Sequence, residues 1–253
     1  MRSALSLTAL LILSTSLSAQ SNSPNDAKAA VTSLRSADIE WDEEDRDELL
    51  ATADESLDRL AHLVDNLLDM SRLQAGALSV FPRPAGLDDI VARALDDLGT
   101  PRAAVKVDIP DSLPEVRVDP AILERVIVNL TQNALRYSPA GTPPLLAAST
   151  LGDRVELRVV DQGPGIPRAQ QDRMFVPFQR LGDTDNTTGV GLGLALSRGL
   201  TEAMGGTLDP EETPGGGLTM TLSLPAVLNP AGPDPAGPDP DVAHPGEPGK
   251  LVK

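Results

Sequence analysis

Asn129, Asn133, Arg136 and Tyr137 lie in a stretch, Ala121 to Ser138, that contains neither Gly nor Pro. On a helix the two asparagines and the arginine fall at i, i+4 and i+7. They line one face beside an apolar stripe of Ile122, Val126, Leu130 and Ala134. Amide oxygens can ligate Mg2+, and a guanidinium can hold phosphate. Taken alone, helical asparagines are more often merely solvated. Downstream, Asp161-Gln-Gly-Pro-Gly-Ile-Pro closes an apolar run. A carboxylate at a strand end can accept a hydrogen bond from an exocyclic amine, and Gly163 and Gly165 permit close backbone approach or positive φ. An ordinary Gly-Pro turn is the competing reading. Further on, Gly189-Val-Gly-Leu-Gly-Leu runs into a helical pattern at Gly193, where free N–H groups and the positive dipole end favour an anion. This loop follows no strand and is neither a Walker loop nor a dinucleotide fingerprint.

The elements that must position these residues can be read from periodicity and punctuation. Asp119 and Pro120 form a cap and first-turn pair that fixes a helix over Pro120 to Tyr137. A helix is expected at Leu87 to Leu98 and another at Gly193 to Met204. Strands are expected near Val105 to Ile109, Glu115 to Val118, Leu145 to Thr150, Arg154 to Asp161, Thr207 to Glu211 and Leu218 to Leu224. Helices interspersed with hairpin-like strand pairs predict a two-layer α/β sandwich with a mixed sheet.

Glu43 to Ala75 lacks Pro and Gly and places Leu50, Ala53, Leu57, Leu60, Val64 and Leu67 at spacings of 3, 4, 3, 4 and 3, with Gly76 as the stop. So narrow a seam predicts a partner helix, either in an antiparallel hairpin with residues Ala27 to Ser36 or in a dimeric four-helix bundle. His62 lies beside this seam and reads first as a surface histidine.

Composition narrows the function classes. The 253 residues carry 21 Lys and Arg against 37 Asp and Glu, a net charge of -16. No basic patch offsets that charge, so nucleic acid is not expected as a partner. With no cysteine and two histidines, His62 and His244, there is no basis for a disulfide or a thiolate or zinc site. The five aromatics are Trp41, Phe81, Tyr137, Phe175 and Phe178, so the core is expected to be aliphatic.

Four motifs occur in order: Asn129-Leu-Thr-Gln-Asn-Ala-Leu-Arg-Tyr-Ser, Asp161-Gln-Gly-Pro-Gly, Phe175-Val-Pro-Phe-Gln-Arg and Gly189-Val-Gly-Leu-Gly-Leu. Together they resemble the N, G1, F and G2 boxes of sensor histidine kinases. Glu55-Ser-Leu-Asp-Arg-Leu-Ala-His-Leu-Val-Asp-Asn-Leu-Leu-Asp-Met-Ser-Arg-Leu-Gln-Ala-Gly resembles the second dimerisation helix of the KdpD-type potassium sensor kinases. The resemblance covers about residues 27 to 225. It implies a Bergerat-type ATP-binding domain in which Asn133 ligates Mg2+, Asn129 and Arg136 lie near the phosphates, Tyr137 lies by the nucleotide, and Asp161 holds the adenine amine. It further implies that Gly163 and Gly165 shape the turn, and that Phe175, Phe178 and Arg180 belong to a lid. Gly189, Gly191 and Gly193 would meet the phosphates, and Thr219 would sit beneath the adenine. Implied partners are a second kinase chain, bound through the 43–75 helix, and a response regulator.

Two departures refine this. Hsp90-type chaperones, gyrase-like topoisomerases and anti-sigma serine kinases carry a Glu general base where this chain has Asn129, which lacks comparable basicity. The acceptor histidine expected on the first dimerisation helix would fall near Ser18, yet residues 1–26 contain no histidine. Autophosphorylation in cis is therefore not expected. The expected organisation is a signal-like or aberrant segment over 1–26, a partial dimerisation hairpin over 27–80, the ATP-binding domain over 81–225, and a disordered Pro/Gly/Asp tail over 226–253. Arg2 and the apolar run from Ala4 to Leu17 resemble a secretory signal. An aberrant start is preferred, because ATP points to the cytoplasm; association with a membrane through residues 4–19 is the alternative.

Overall fold

The computed structural model describes residues 24–36, 41–99, 102–179 and 191–227. Residues 1–23 and 228–253, which hold most of the signal-like segment and of the Pro-rich tail, lie outside the described residues. So do Arg180 and Gly189.

Helices α1 (Pro24–Leu34) and α2 (Glu43–Gln74) come first. Asp42 caps α2 by accepting from the Asp45 N–H at 2.8 Å, and three carboxylates, Glu43, Glu44 and Asp45, complement the dipole in its first turn. Gly76, at φ 62°, ends α2 as predicted, and Ala77 N–H reaches back to the Arg72 carbonyl at 2.8 Å. The two helices form the expected hairpin, but of the predicted seam only Ala53 is in their shared cluster. Ala30 packs with Leu49 and Ala53, and Leu34 and Trp41 complete this small cluster. Leu50, Leu57, Val64 and Leu67 are each about half exposed. The small Ala30 on α1 approaches α2 along Leu49 and Ala53, so Leu50, Leu57, Val64 and Leu67 of the seam face outward.

The remaining elements build the sandwich: β1 (Arg83–Ala85), α3 (Leu87–Asp97), β2 (Lys106–Asp108), β3 (Val116–Val118), α4 (Pro120–Tyr137), β4 (Leu145–Leu151), β5 (Arg154–Val160), α5 (Arg168–Gln171), α6 (Gly193–Ala203), β6 (Thr207–Glu212) and β7 (Leu218–Pro225). The main sheet has the order β2-β4-β5-β7-β6, with β2 and β4 parallel and every other pair antiparallel. A separate pair, β1 and β3, was not anticipated for its first strand; Arg83 stands opposite Val118. Along β5, Val155, Leu157 and Val159 are buried while Glu156 and Arg158 pair with each other outside, the alternation of a sheet covered on one face. The cover is α3, α4 and α6. Ile90, Val91 and Ala94, then Leu123, Val126, Ile127 and Leu130, then Leu196 and Leu200 close over the sheet in one aliphatic core. The predicted α/β sandwich with a mixed sheet is the architecture found.

Candidate nucleotide site

Asp119 fixes the start of α4 from two sides. Its Oδ1 accepts from Ala121 N–H and Ile122 N–H at 3.1 and 3.4 Å, and its Oδ2 accepts from Phe81 N–H at 3.0 Å. The far end of α4 meets the turn after β5. Gly163 lies so close that a Cβ there would stand 2.5 Å from the Tyr137 carbonyl oxygen. Only glycine fits between helix end and turn.

Asp161 is buried beside this junction at 7% exposure. Its Oδ1 accepts from Gly163 N–H at 2.9 Å and from Leu218 N–H at 3.0 Å, and its own N–H donates to the Leu218 carbonyl at 2.9 Å. Two backbone donors thus orient one carboxylate oxygen, and Oδ2 takes no hydrogen bond from the described residues. A buried acceptor with one free oxygen is built to receive a donor such as an exocyclic amine. Gly165, at φ 68°, and Gly217, at φ 113°, let the turn and the loop before β7 touch. A Cβ on Gly165 would stand 2.8 Å from the Gly217 carbonyl oxygen.

Asn129 sits eight residues before Tyr137, about 12 Å along the helix axis at 1.5 Å per residue. Its Nδ2 donates to Ser197 Oγ at 2.7 Å, and its Oδ1 fills the space that a Cβ on Gly193 would take. The start of α6 is therefore pinned against the middle of α4. Asn133 is half-buried, lies one turn from Asn129 toward Tyr137, and makes no hydrogen bond within the described residues. The Arg136 guanidinium carbon lies 5.3 Å from the centroid of the Tyr137 ring, which is itself 41% exposed.

The F-box aromatics separate. Phe175 is buried, with the Arg198 guanidinium carbon 3.4 Å from its ring centroid; the same guanidinium donates twice to the Leu208 carbonyl at 3.2 Å. Phe178 is 63% exposed at φ 64°, and its N–H donates to the Gly191 carbonyl at 3.0 Å. That bond brings together the two described ends flanking residues 180–190.

Thr219 is not brought to Asp161. It stands opposite Val160 and shares a hydroxyl hydrogen bond with Thr213 at 2.9 Å. Its neighbours Leu218 and Met220 point into the helix-covered core, so strand alternation turns Thr219 to the other face. The residue level with Asp161 is Leu218. Ser197, Arg198 and Thr213 were not singled out from sequence, because their partners come from distant elements and no local pattern marks them.

Residues 118–228 match the family described as Histidine kinase-, DNA gyrase B-, and HSP90-like ATPase. Sensor protein KdpD of Rathayibacter rathayi is 55% identical over 166 residues, 66% of this chain and 19% of that protein. Sensor protein KdpD of Mycobacterium tuberculosis (strain CDC 1551 / Oshkosh) is 48% identical over 208 residues, 79% of this chain and 24% of that protein. The chain spans about a fifth to a quarter of the length of these relatives. Among solved structures, full-length ShkA in complex with AMPPNP aligns with a TM-score of 0.60 at 27% identity, over 77% of this chain and 42% of that one. The Acinetobacter baumannii histidine kinase AdeS, at 22% identity, shares the fold with a TM-score of 0.60 over 80% of this chain and 95% of that one. The fold, the Asp161 turn and the match over residues 118–228 thus define an ATP-binding domain of the histidine kinase type. Its sequence is KdpD-like.

Proposed function

We propose that this chain supplies the ATP-binding catalytic part of a two-component sensor kinase and transfers the γ-phosphoryl group of ATP to a histidine on a partner kinase chain. The carrying observation is the alignment of three features along α4. Asp161, with one oxygen oriented and one free, marks the adenine end; Asn133 is open in the middle; Asn129 meets the start of α6 about 12 Å from Tyr137, a span matching an extended nucleoside triphosphate. Asp161 receives the adenine amine, Tyr137 and Arg136 flank the nucleotide, and Asn129, Gly191 and Gly193 lie at the phosphate end.

Mg2+ fits the Asn133 amide, a half-buried oxygen donor with no protein partner among the described residues. The described residues contain no cluster of three or more His, Cys, Asp or Glu placed to hold a metal ion. Asn133 would hold a hard cation through its amide oxygen, and the ion would supply charge neutralisation beside the phosphates.

The outward stripe of Leu50, Leu57, Val64 and Leu67 supports docking of a second kinase helix along α2, and a response regulator is the downstream phosphoryl recipient. The reading places the domain in the cytoplasm, with the ATP. No helix among the described residues is long and apolar enough to cross a membrane.

Calorimetric titration with Mg-ATP tests the site. In Asp161→Asn the amide oxygen keeps the two backbone donors and the NH2 takes the place of the free oxygen, so a donor faces the adenine amine; a lost charged hydrogen bond costs about 1.5 to 3 kcal/mol, roughly ten- to hundredfold in affinity. Unchanged affinity removes Asp161 from the adenine site. Label transfer from γ-labelled ATP to an intact homologue separates a working kinase domain from a non-catalytic ATP-binding module.

A further inference from the structure

Among the described residues helix α2 meets the ATP-binding domain through an ion pair and an apolar contact, neither of which belongs to the nucleotide motifs. At the first, the Asp69 carboxylate, its side chain only 7% exposed, contacts Arg125 of α4 through Oδ2 and accepts from Arg72 Nη1 at 3.3 Å through Oδ1. A carboxylate taken out of water needs such partners. At the second, one turn further along α2, Leu73 lies over Gly199 of α6; a Cβ on Gly199 would stand 2.8 Å from Leu73 Cδ2. Toward the N-terminus of α2 from these contacts, a cleft of about 200 Å3 separates the helix from the domain. His62, Asp65 and Asn66 line its α2 side; Asn129, Gly193 and Ser197 line the other.

Arg125 and Asn129 are four residues apart, on the same face of α4. Whatever fixes Arg125 also fixes Asn129, because the helix between them is rigid. We infer that the Asp69–Arg125 pair, with Leu73 on Gly199 as its pivot, is the joint that sets the ATP-binding domain on α2. Asp69 and Arg125 are then positioning residues for phosphoryl transfer: they decide which flank of the dimerisation helices the Asn129 end of the site faces. They act through orientation and touch no nucleotide. A misplacement of about 1 Å can cost on the order of a hundredfold in rate, so such a joint governs turnover more than ATP binding.

The chain contains no cysteine, so Glu55→Cys on α2 and Asp153→Cys between β4 and β5, both exposed, give two unique spin-label positions. Pulsed electron spin resonance is expected to show one narrow distance in the otherwise unchanged chain. Arg125→Glu, which sets two carboxylates against each other, broadens it, and Asp69→Lys combined with Arg125→Glu narrows it again. Gly199→Val, which pushes on Leu73 without changing charge, broadens it as well and is independent of how the charge variants fold. The phosphoryl-transfer readout rests on the function proposed above: kcat for transfer to a partner histidine falls at least tenfold in Arg125→Glu and recovers in the double variant, while KM for ATP stays unchanged. A distance distribution unaltered by both Arg125→Glu and Gly199→Val overturns the joint, as does a double variant no narrower than Arg125→Glu. Calorimetry on the same variants keeps the two ideas apart. Failure to bind Mg-ATP refutes the proposed function, and the distances still judge the joint.

Discussion

Gly163 sits against the carbonyl of Tyr137 with no room for a side chain, a Cβ there falling 2.5 Å from that oxygen and 3.1 Å from Asp161 Oδ1. Both are fixed groups: one is helix backbone and the other is a carboxylate held by two N–H donors. Gly163→Ala must therefore move the turn, and the Gly163 N–H bond that orients Asp161 is lost with it. Overpacking of this kind costs about 1 to 3 kcal/mol. The expected outcome is a lower thermal midpoint together with roughly tenfold weaker Mg-ATP binding by calorimetry. A variant that melts lower yet binds ATP as before dissociates the turn from the adenine site.

Asn133→Ala tests the metal. The amide hydrogen-bonds to no described residue, so its removal leaves the fold intact and lowers the melting temperature by no more than a few degrees, as for a half-buried change worth less than about 1 kcal/mol. The Mg2+ concentration needed for half-maximal ATP binding rises several-fold, while binding of adenosine, which has no phosphates, is unchanged. An unaltered Mg2+ titration assigns the ion elsewhere.

The ATP-binding domain was expected to end at residue 225, but the backbone stays engaged through Val227. Ala226 N–H donates to the Asp153 carbonyl at 3.0 Å and Val227 N–H to the Glu115 carbonyl at 2.7 Å. Removing residues 226–253 therefore deletes two backbone hydrogen bonds worth about 1 kcal/mol each, and the midpoint is expected to fall by a few degrees. Removing 228–253, which keeps both of these hydrogen bonds, is expected to leave the midpoint unchanged. Equal melting of the two truncations counts against a role for Ala226 and Val227.

What could be read from sequence was local. Asp119 before Pro120 fixes the start of α4 to the residue, and Asp161 with its glycines marks the turn, because caps and turns are encoded by adjacent residues. The seam on α2 shows the limit of periodicity. Spacing identifies an apolar stripe but not which flank a partner takes: Ala30 of α1 packs on Leu49 and Ala53, so the stripe contributes Ala53 and leaves Leu50, Leu57, Val64 and Leu67 outward. The register that sets Thr219 opposite Val160, one step from Asp161, is a quantity that nothing in β7 itself announces. Ser197 holding Asn129, Arg198 over Phe175 and Arg125 on Asp69 join elements far apart in the chain, so no window of sequence contains them.

The last prediction concerns histidine. Only His62 and His244 occur, and His244 lies outside the described residues. His62 lines the cleft shared with Asn129, which brings it nearer the phosphate end of the site than its place in the sequence suggested. Its surroundings disfavour an acceptor role. Asp65, Asp97 and Glu124 line the same cleft, and the one arginine there, Arg125, is engaged by Asp69. Arg93 pairs with Glu124 at 3.1 Å, which leaves Asp65 and Asp97 to repel an incoming γ-phosphoryl group. Incubation with γ-labelled ATP is accordingly expected to leave no acid-labile label on this chain, with or without His62→Gln. Stoichiometric acid-labile label that disappears in His62→Gln would make His62 the acceptor and reverse this reading. A first dimerisation helix bearing a histidine, grafted before Ala27, is expected to acquire label that Asp161→Asn reduces at limiting ATP. That result assigns the transfer to the nucleotide site described here and the acceptor to a helix supplied from outside it.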